Sequence, residues 1–387
     1  MIDSEEFFIK LEKHIEKGLP FVAYRKPKNA NFHQSTRALL QRDFTTHKVE
    51  DYSESGFVFS PFNDENDAFI VPSEFSEEIE TEYFFEEDHK NVKKLDAPFP
   101  PNQLRKQARV EHENLVQKGI DEIKAGRLKK VVLSRTESVQ HQLEVIGIFK
   151  NMLKKYNSAF VYLWFHPETG AWLGATPETL LQVERNKFKT MALAGTQSFH
   201  QTTHVEWGEK EKDEQQIVTD AILENLHKFT SDSGEITPSK PYTSKAGNLL
   251  HLRTDVEGTL NPDTADLKKL ISALHPTPAV CGIPKASAKK FILKNEDYDR
   301  EFYTGYLGEL NLKTEKKRNS NRRNQENQAY ASISRQTSLY VNLRCIKLDA
   351  GIANLFVGGG ITEGSNPSLE WEETVNKSHT MKAVLVK

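Results

Sequence analysis

The sequence predicts an α+β fold with largely antiparallel sheets. Strand-like and helix-like stretches come in clusters rather than in strict strand–helix–strand alternation, the pattern of segregated layers rather than of a parallel crossover sheet. Neighbouring strand-like stretches are split by short turns, as in "AFVYLWF" and "AWLGATPETLLQV" around Pro167-Glu168-Thr169-Gly170. No internal repeat of about 20–50 residues is visible.

Taken in order, "EEFFIKLEKHIEKG" has apolar residues at helical spacing and stops at Gly18. "GFVFSPF" and "AFIVPS" read as short strands, followed by the acidic "SEEIETEYFFEEDH" and the Pro-rich "APFPPNQ" at 97–103. That break predicts an N-terminal lobe, 1–102, and a larger domain, 103–387. Leu115, Val116, Ile120 and Ile123 share helical spacing in "QARVEHENLVQKGIDEIKAGR", with Gly126 as the stop. "KVVLSR" reads as a buried strand and "KFKTMALAG" as another. "KDEQQIVTDAILENLHKF" reads as a helix with Ile217, Ala221, Ile222 and Leu226 on one face. "LYVNLRCIKLDAGIANLFVGGG" reads as a hairpin turning at Asp349-Ala350-Gly351. The polar, basic segment 313–338 reads as a flexible insertion between two strands, with a basic binding tail as the other reading.

Composition excludes several classes. Formal net charge is −3, so no basic excess points to nucleic acid. Apolar residues make up only 37% of the chain, but 22 Phe and 11 Tyr supply bulk for a core. The two cysteines, Cys281 and Cys345, lie far apart in no CxxC pair. Neither a disulfide framework nor a zinc site is predicted, and a reducing compartment fits. The N-terminus carries no apolar signal core, and no run approaches the ~20 apolar residues of a membrane span. The expectation is a soluble, cytoplasmic protein with no membrane partner and, lacking a coiled-coil pattern, a monomer.

Candidate chemistry lies in a few places. "EWEETVNK" follows the glycines 358–360 and the helix-start signal Ser365-Asn366-Pro367. On a helix, Glu370, Glu373 and Lys377 share one face, with Trp371 and Val375 on the adjacent core face. Alone this describes an exposed face with a Glu-to-Lys pair worth ~0.3 kcal/mol. A second pair, Glu211 and Glu214, opens another helix. Two such faces can share a hard divalent cation such as Mg²⁺, which takes oxygen ligands and waters, although acidic helix starts are also common for dipole reasons.

Isolated polar residues in apolar strands are the other signal. Period 2 puts Lys130, Val132 and Ser134 on one face. Lys130 there either snorkels to water or, desolvated, serves as a base. Glu178 follows Gly174 and Ala175, small residues that permit close approach, and a carboxyl so placed can be a general acid. Arg344 faces away from Val341, Leu343 and Cys345, either onto solvent or onto a carboxylate as a bidentate clamp. His251 reads as a satisfied core histidine. "AGTQ" and "VGGGI" can offer backbone N–H groups to an anion. Neither GxGxxG nor GxxxxGK[ST] occurs.

Seven motifs, "KVVLSR", "LGATPETLL", "LAGT", "EKDEQQIV", "LHPTPAVCGIPK", "VNLRC" and "FVGGGI…SNPSLEWEETVNK", resemble in order and spacing those of the chorismate-binding enzymes. That family comprises isochorismate synthases, salicylate synthases and component I of anthranilate and aminodeoxychorismate synthases. The resemblance spans about residues 103–387 and covers the first hundred loosely. The lysine of "KVVLSR", missing from ammonia-using relatives, and "HPTPAVCG" are most similar to the isochorismate synthases.

The resemblance implies the chorismate-utilising fold, antiparallel sheets packed as a core sandwich with flanking helices. It also implies Mg²⁺-dependent conversion of chorismate to isochorismate, for menaquinone or a catecholate siderophore. A salicylate synthase, which goes on to eliminate pyruvate, is the neighbouring reading. Carried over, Lys130 is the base for water attacking C2 and Glu178 the acid for the departing C4 hydroxyl. Glu214 and Glu373, with Glu211 and Glu370, hold Mg²⁺. Arg344 and the backbone near Gly358 hold the enolpyruvyl carboxylate. Gly195, Thr196, His251, Ala279 and Val280 line the ring pocket, and Lys377 sits near the metal and carboxylate. One departure is Gln215 after Glu214, where many relatives have histidine, which puts fine tuning of the metal in question.

Overall fold

The computed structural model describes residues 1–27, 35–82, 102–198, 205–230, 236–246, 249–260, 266–316 and 332–386. In chain order the elements begin α1 (Ser4–Lys17), β1 (Phe21–Arg25), β2 (Thr36–Gln41), β3 (Gly56–Ser60), β4 (Phe69–Pro72), β5 (Ser76–Thr81), α2 (Asn102–Lys124) and β6 (Lys130–Gln140). Next come α3 (Val145–Lys155), β7 (Phe160–His166), β8 (Gly170–Thr176), β9 (Thr179–Glu184), β10 (Lys187–Ser198), α4 (Glu209–Thr230), β11 (Ile236–Pro238), β12 (Tyr242–Ala246) and β13 (Leu249–Thr259). The remainder is α5 (Leu267–Leu274), β14 (Gly282–Ile283), α6 (Lys285–Asn295), β15 (Tyr306–Lys316), β16 (Ser332–Val341), β17 (Cys345–Asp349), β18 (Ile352–Ile361) and α7 (Pro367–Lys382).

Among the described residues these strands form two sheets. One has the order β14-β6-β18-β17-β8-β7-β1-β2-β5; the other runs β11-β13-β10-β9-β16-β15-β3-β4, with β12 beside β13. The described strand pairings are antiparallel, so the α+β expectation holds. Strand alternation builds the layers. Val22 and Tyr24 of β1 turn inward with Tyr162, Trp164 and Trp172, against Phe57 and Phe59 of the opposite sheet. The Phe59 ring lies 5.0 Å from Trp164 and 4.2 Å from Phe302. Phe21 and Ala23 turn outward, under Phe7, Phe8 and Leu11 of α1 and Phe149 and Met152 of α3. The second sheet's outer face, including Leu180, Phe188 and Val256, is covered by α4 and α5. Each such large apolar side chain contributes about 1.5–3 kcal/mol on burial.

The helix ends obey the local signals. Gly18 closes α1 in the left-handed conformation at φ 68°, and Asn366 caps α7 by accepting from the N–H groups of Ser368 and Leu369. The buried face of α4 is rotated from the predicted one: Val218, Ile222 and Leu226 are buried, whereas Ile217 is 38% exposed.

Three expectations change in ways that matter for the site. "AWLGATPETLLQV" is not one strand. It breaks at Pro177-Glu178, where the chain leaves β8 in one sheet and enters β9 in the other; proline has no N–H to continue a ladder. "LYVNLRCIK" likewise crosses from β16 to β17 between the sheets, through Arg344 at φ +48°. Third, the ends of segment 313–338 are paired strand, Lys316 lying opposite Ser332. Ladder hydrogen bonds form between backbones whatever the polarity of the side chains; residues 317–331 lie outside the described residues.

The division predicted at 102/103 falls within shared sheets, since β1, β2 and β5 sit in one and β3 and β4 in the other. Among the described residues no helix is long and apolar enough to cross a membrane.

Candidate active site

The two crossings are hydrogen-bonded to each other. Val341 N–H donates to the Glu178 carbonyl at 3.0 Å, and Ala175 N–H to the Arg344 carbonyl at 3.2 Å. They bring Glu178 and Arg344 to the lining of one cleft between the sheets. The starts of β6, α4 and α7 and the glycine end of β18 complete this solvent-connected cleft.

Lys130, the first residue of β6, has a side chain only 3% exposed, so it does not snorkel; its Nζ donates to Glu214 Oε1 at 2.8 Å. The glycine run explains how this fits. A Cβ on Gly360 would stand 3.1 Å from both Glu214 Oε1 and Lys130 Cε, and one on Gly359 would stand 3.1 Å from Glu370 Oε2 and 3.8 Å from Glu373 Oε1. The glycines leave the room in which three carboxylates and a lysine gather over one strand. Lys377, one turn beyond Glu373, pairs with Glu373 Oε1 at 2.7 Å and donates to the Gly358 carbonyl at 2.8 Å.

Glu178 is buried and, among the described residues, meets a weak partner in the Thr277 hydroxyl, which donates to Oε1 at 3.3 Å. Burial lifts its carboxyl to about 7, against the opposing effects of Thr277 and of the Lys130 charge. A carboxyl so placed keeps its proton in a large share of molecules at neutral pH and can act as a general acid.

On the other wall, Arg344 donates to His251 Nε2 at 3.1 Å. Arginine is always a donor, so this fixes the tautomer: His251 donates its Nδ1–H to the Gly195 carbonyl at 3.1 Å. Burial, then the Arg344 charge, lowers His251 to about 3, so the ring is neutral. It is a bonded histidine, as expected, yet it also lines the cleft. Gly195 sits at φ +70°, where a Cβ would come within 3.3 Å of Glu211 Cβ. Ala279 and Val280 line the cleft; the side chain of Thr196 lies outside the described residues.

All the other predicted residues therefore converge on one cleft. Reading the sequence missed Thr277 and Tyr303. Thr277 lies inside a motif that was singled out as a block, not by residue. Tyr303 also lines the cleft, and "EFYTGY" offers no period or charge signal to mark it.

The donor set suits a hard divalent cation. Glu211, Glu214, Glu370 and Glu373 outnumber the cations Lys130, Arg344 and Lys377 in the cleft, so an anionic ligand would otherwise enter against negative charge. All four offer oxygen, the donor that Mg²⁺ prefers, and the glycine cradle gives three of them access. Among the described residues no three His, Cys, Asp or Glu side chains already converge as a metal-binding group; Glu214 is turned onto Lys130 and Glu373 onto Lys377. Gln215 points elsewhere: its amide donates to Thr219 at 2.9 Å and Thr254 at 2.6 Å beneath α4, so its substitution for histidine does not alter the carboxylate cluster.

Residues 14–316 match a family model described as chorismate binding enzyme, and residues 329–383 match a second model of the same description. The first match begins well before the motif-bearing region. Over 281 residues the chain is 30% identical to isochorismate synthase MenF of Pasteurella multocida, covering 70% of this chain and 60% of that protein. It is 29% identical over 288 residues to the salicylate biosynthesis isochorismate synthase of Pseudomonas aeruginosa, covering 72% and 55%. The chain thus spans three-fifths or less of the length of these relatives. Its fold matches the structure of MenF, the menaquinone-specific isochorismate synthase of Escherichia coli, with a TM-score of 0.70 at 19% identity, covering 95% of this chain and 89% of that one.

Proposed function

The chain belongs to the chorismate-binding enzyme family, and from that premise we propose that it is an isochorismate synthase, a cytoplasmic monomer acting on chorismate. The observation that carries the reading is the presence in one cleft of a buried lysine, Lys130, and a buried carboxyl, Glu178, whose pKa burial raises to about 7. Water addition with loss of a hydroxyl needs such a pair: one group to take a proton and one to give a proton.

In the proposed reaction neutral Lys130 removes a proton from a water attacking C2 of the ring. The double bond shifts, and Glu178 delivers its proton to the C4 hydroxyl, which departs as water. One water enters and one leaves, so the product is an isomer. Arg344 and Lys377 bring fixed positive charge to a dianionic substrate, and the Arg344–His251–Gly195 chain holds the guanidinium in orientation. Glu214 and Glu373, with Glu211 and Glu370, would hold Mg²⁺, which supplies positive charge for the ring carboxylate. Lys130 Nζ donates to Glu214 Oε1 at 2.8 Å, a contact it exchanges for the attacking water in this reaction.

Relatives carry names from both menaquinone and salicylate biosynthesis, and menaquinone or siderophore synthesis is the proposed destination. The test is chromatography of products from chorismate and Mg²⁺. Isochorismate supports the reading. Salicylate formed without added lyase would replace it with the salicylate synthase reading, and unchanged chorismate would refute both.

A further inference from the structure

We propose that the buried pair Glu296–Arg300, which lies outside the cleft, stands in for a missing strand beside β6 and thereby aims Lys130; the consequence for turnover rests on the reading of Lys130 as base.

The edge of β6 shows why a substitute is needed. On one side β18 pairs with it from Val131 to Gln140. On the other side β14 is only two residues long and pairs only with Lys130 and Val131, flanked by bonds from Lys129 N–H to the Ile283 carbonyl at 2.7 Å and from Val132 N–H to the Cys281 carbonyl at 2.8 Å. Beyond that point the Val132 carbonyl and the Ser134 N–H face a buried edge without a strand. Unpaired buried backbone groups are costly. Here side chains take the strand's place: Arg300 donates to the Val132 carbonyl at 2.8 Å, and Ser134 N–H donates to Glu296 Oε1 at 2.8 Å.

The same guanidinium reaches the opposite wall. It donates to the Val280 carbonyl at 3.0 Å and binds Glu296 through both carboxylate oxygens, at 2.7 and 2.6 Å. It lies 4.6 Å over the Phe62 ring. One side chain thus ties the strand that opens with Lys130 to the loop that carries Val280, and both Lys130 and Val280 line the cleft. Burial disfavours the charge on Arg300, but Glu296 more than compensates, so the guanidinium stays charged. The two side chains are 1% and 2% exposed. A buried ion pair is a poor source of net stability and a good source of fixed geometry; the fixed geometry here is that of the proposed base.

Arg300→Ala would strand the buried Glu296 carboxylate and disrupt the fold locally, so the informative variants are Arg300→Lys and Glu296→Gln. Lysine keeps the charge but cannot bond Glu296, Val132 and Val280 together. In each variant the expected result is a cooperative thermal transition with kcat for chorismate reduced at least tenfold and KM within threefold. Hydrogen exchange in a peptide spanning residues 131–135 should be at least tenfold faster, and exchange in β17 unchanged. Wild-type kcat in both variants, or a loss expressed in KM rather than kcat, overturns the positioning role. Unchanged exchange at 131–135 overturns the strand replacement. If the wild-type protein leaves chorismate unchanged, the isomerase reading fails separately, and the exchange experiment still decides the structural half.

Discussion

Raising the pH should destabilise this protein through one buried carboxyl, and Glu178→Gln should remove the effect. Burial lifts Glu178 from its ordinary value of 4.5 to about 7. Between those values the folded chain holds a proton that the unfolded chain has released. The contribution to stability is therefore fully present below pH 4.5 and is lost as the pH rises through 7. At about 1.4 kcal/mol per pH unit the full loss is about 3 kcal/mol, of which about 2–3 kcal/mol falls between pH 5 and 8. Glutamine has the shape of the protonated acid and no proton to lose. Urea unfolding of both proteins at pH 5 and pH 8 isolates the effect, because the other titrating groups cancel in the difference. The glutamine variant should gain about 2–3 kcal/mol relative to wild type on going from pH 5 to pH 8. It should also lose about 10²–10⁴ in turnover, the usual worth of a general acid. A stability difference that stays the same at both pH values would refute the raised carboxyl and, with it, the physical case for Glu178 as the acid.

Three further outcomes follow from the cleft. Lys130→Ala should lower turnover by about 10²–10⁴ while leaving chorismate affinity, read by calorimetry, within about tenfold; near-normal turnover would remove Lys130 from the role of base. Glu373→Ala should abolish activation by Mg²⁺ along with activity, and a variant that still responds normally to added Mg²⁺ would place the cation elsewhere. Gly360→Ala puts a methyl 3.1 Å from both Glu214 Oε1 and Lys130 Cε, so it should cost about 1–3 kcal/mol of stability and most of the activity; unaltered kinetics would show that the carboxylate and the lysine need not gather over β18.

Much of the site is legible in the sequence because its signals are local. The Glu-x-x-Glu spacing, the Asn366 cap and the period-2 face of Lys130, Val132 and Ser134 depend only on helix and strand geometry, and all stand in the structure. Arg344 shows where that logic stops. Its alternation gave a choice between solvent and clamp, and the crossing between sheets at φ +48° turns it into the cleft against His251, which alternation does not encode. Ile217 failed for a related reason: helical spacing allows neighbouring faces, and packing of α4 on β10 and β13 selects the one through Val218.

By itself, then, the sequence determined the fold class, the helix starts that carry the carboxylates and the residue types able to do the chemistry. These follow from hydrophobic period, capping and motif order, all of which act over a few residues. Only the tertiary structure decided which groups meet. Lys130 and Glu214 are 84 residues apart, Thr277 and Glu178 99, and Arg300 and Val132 168. Burial of Glu178 comes from the chain changing sheets at Pro177, and the room for three carboxylates comes from β18 lying under α7. Contacts of that range depend on how whole layers stack, which no local spacing encodes.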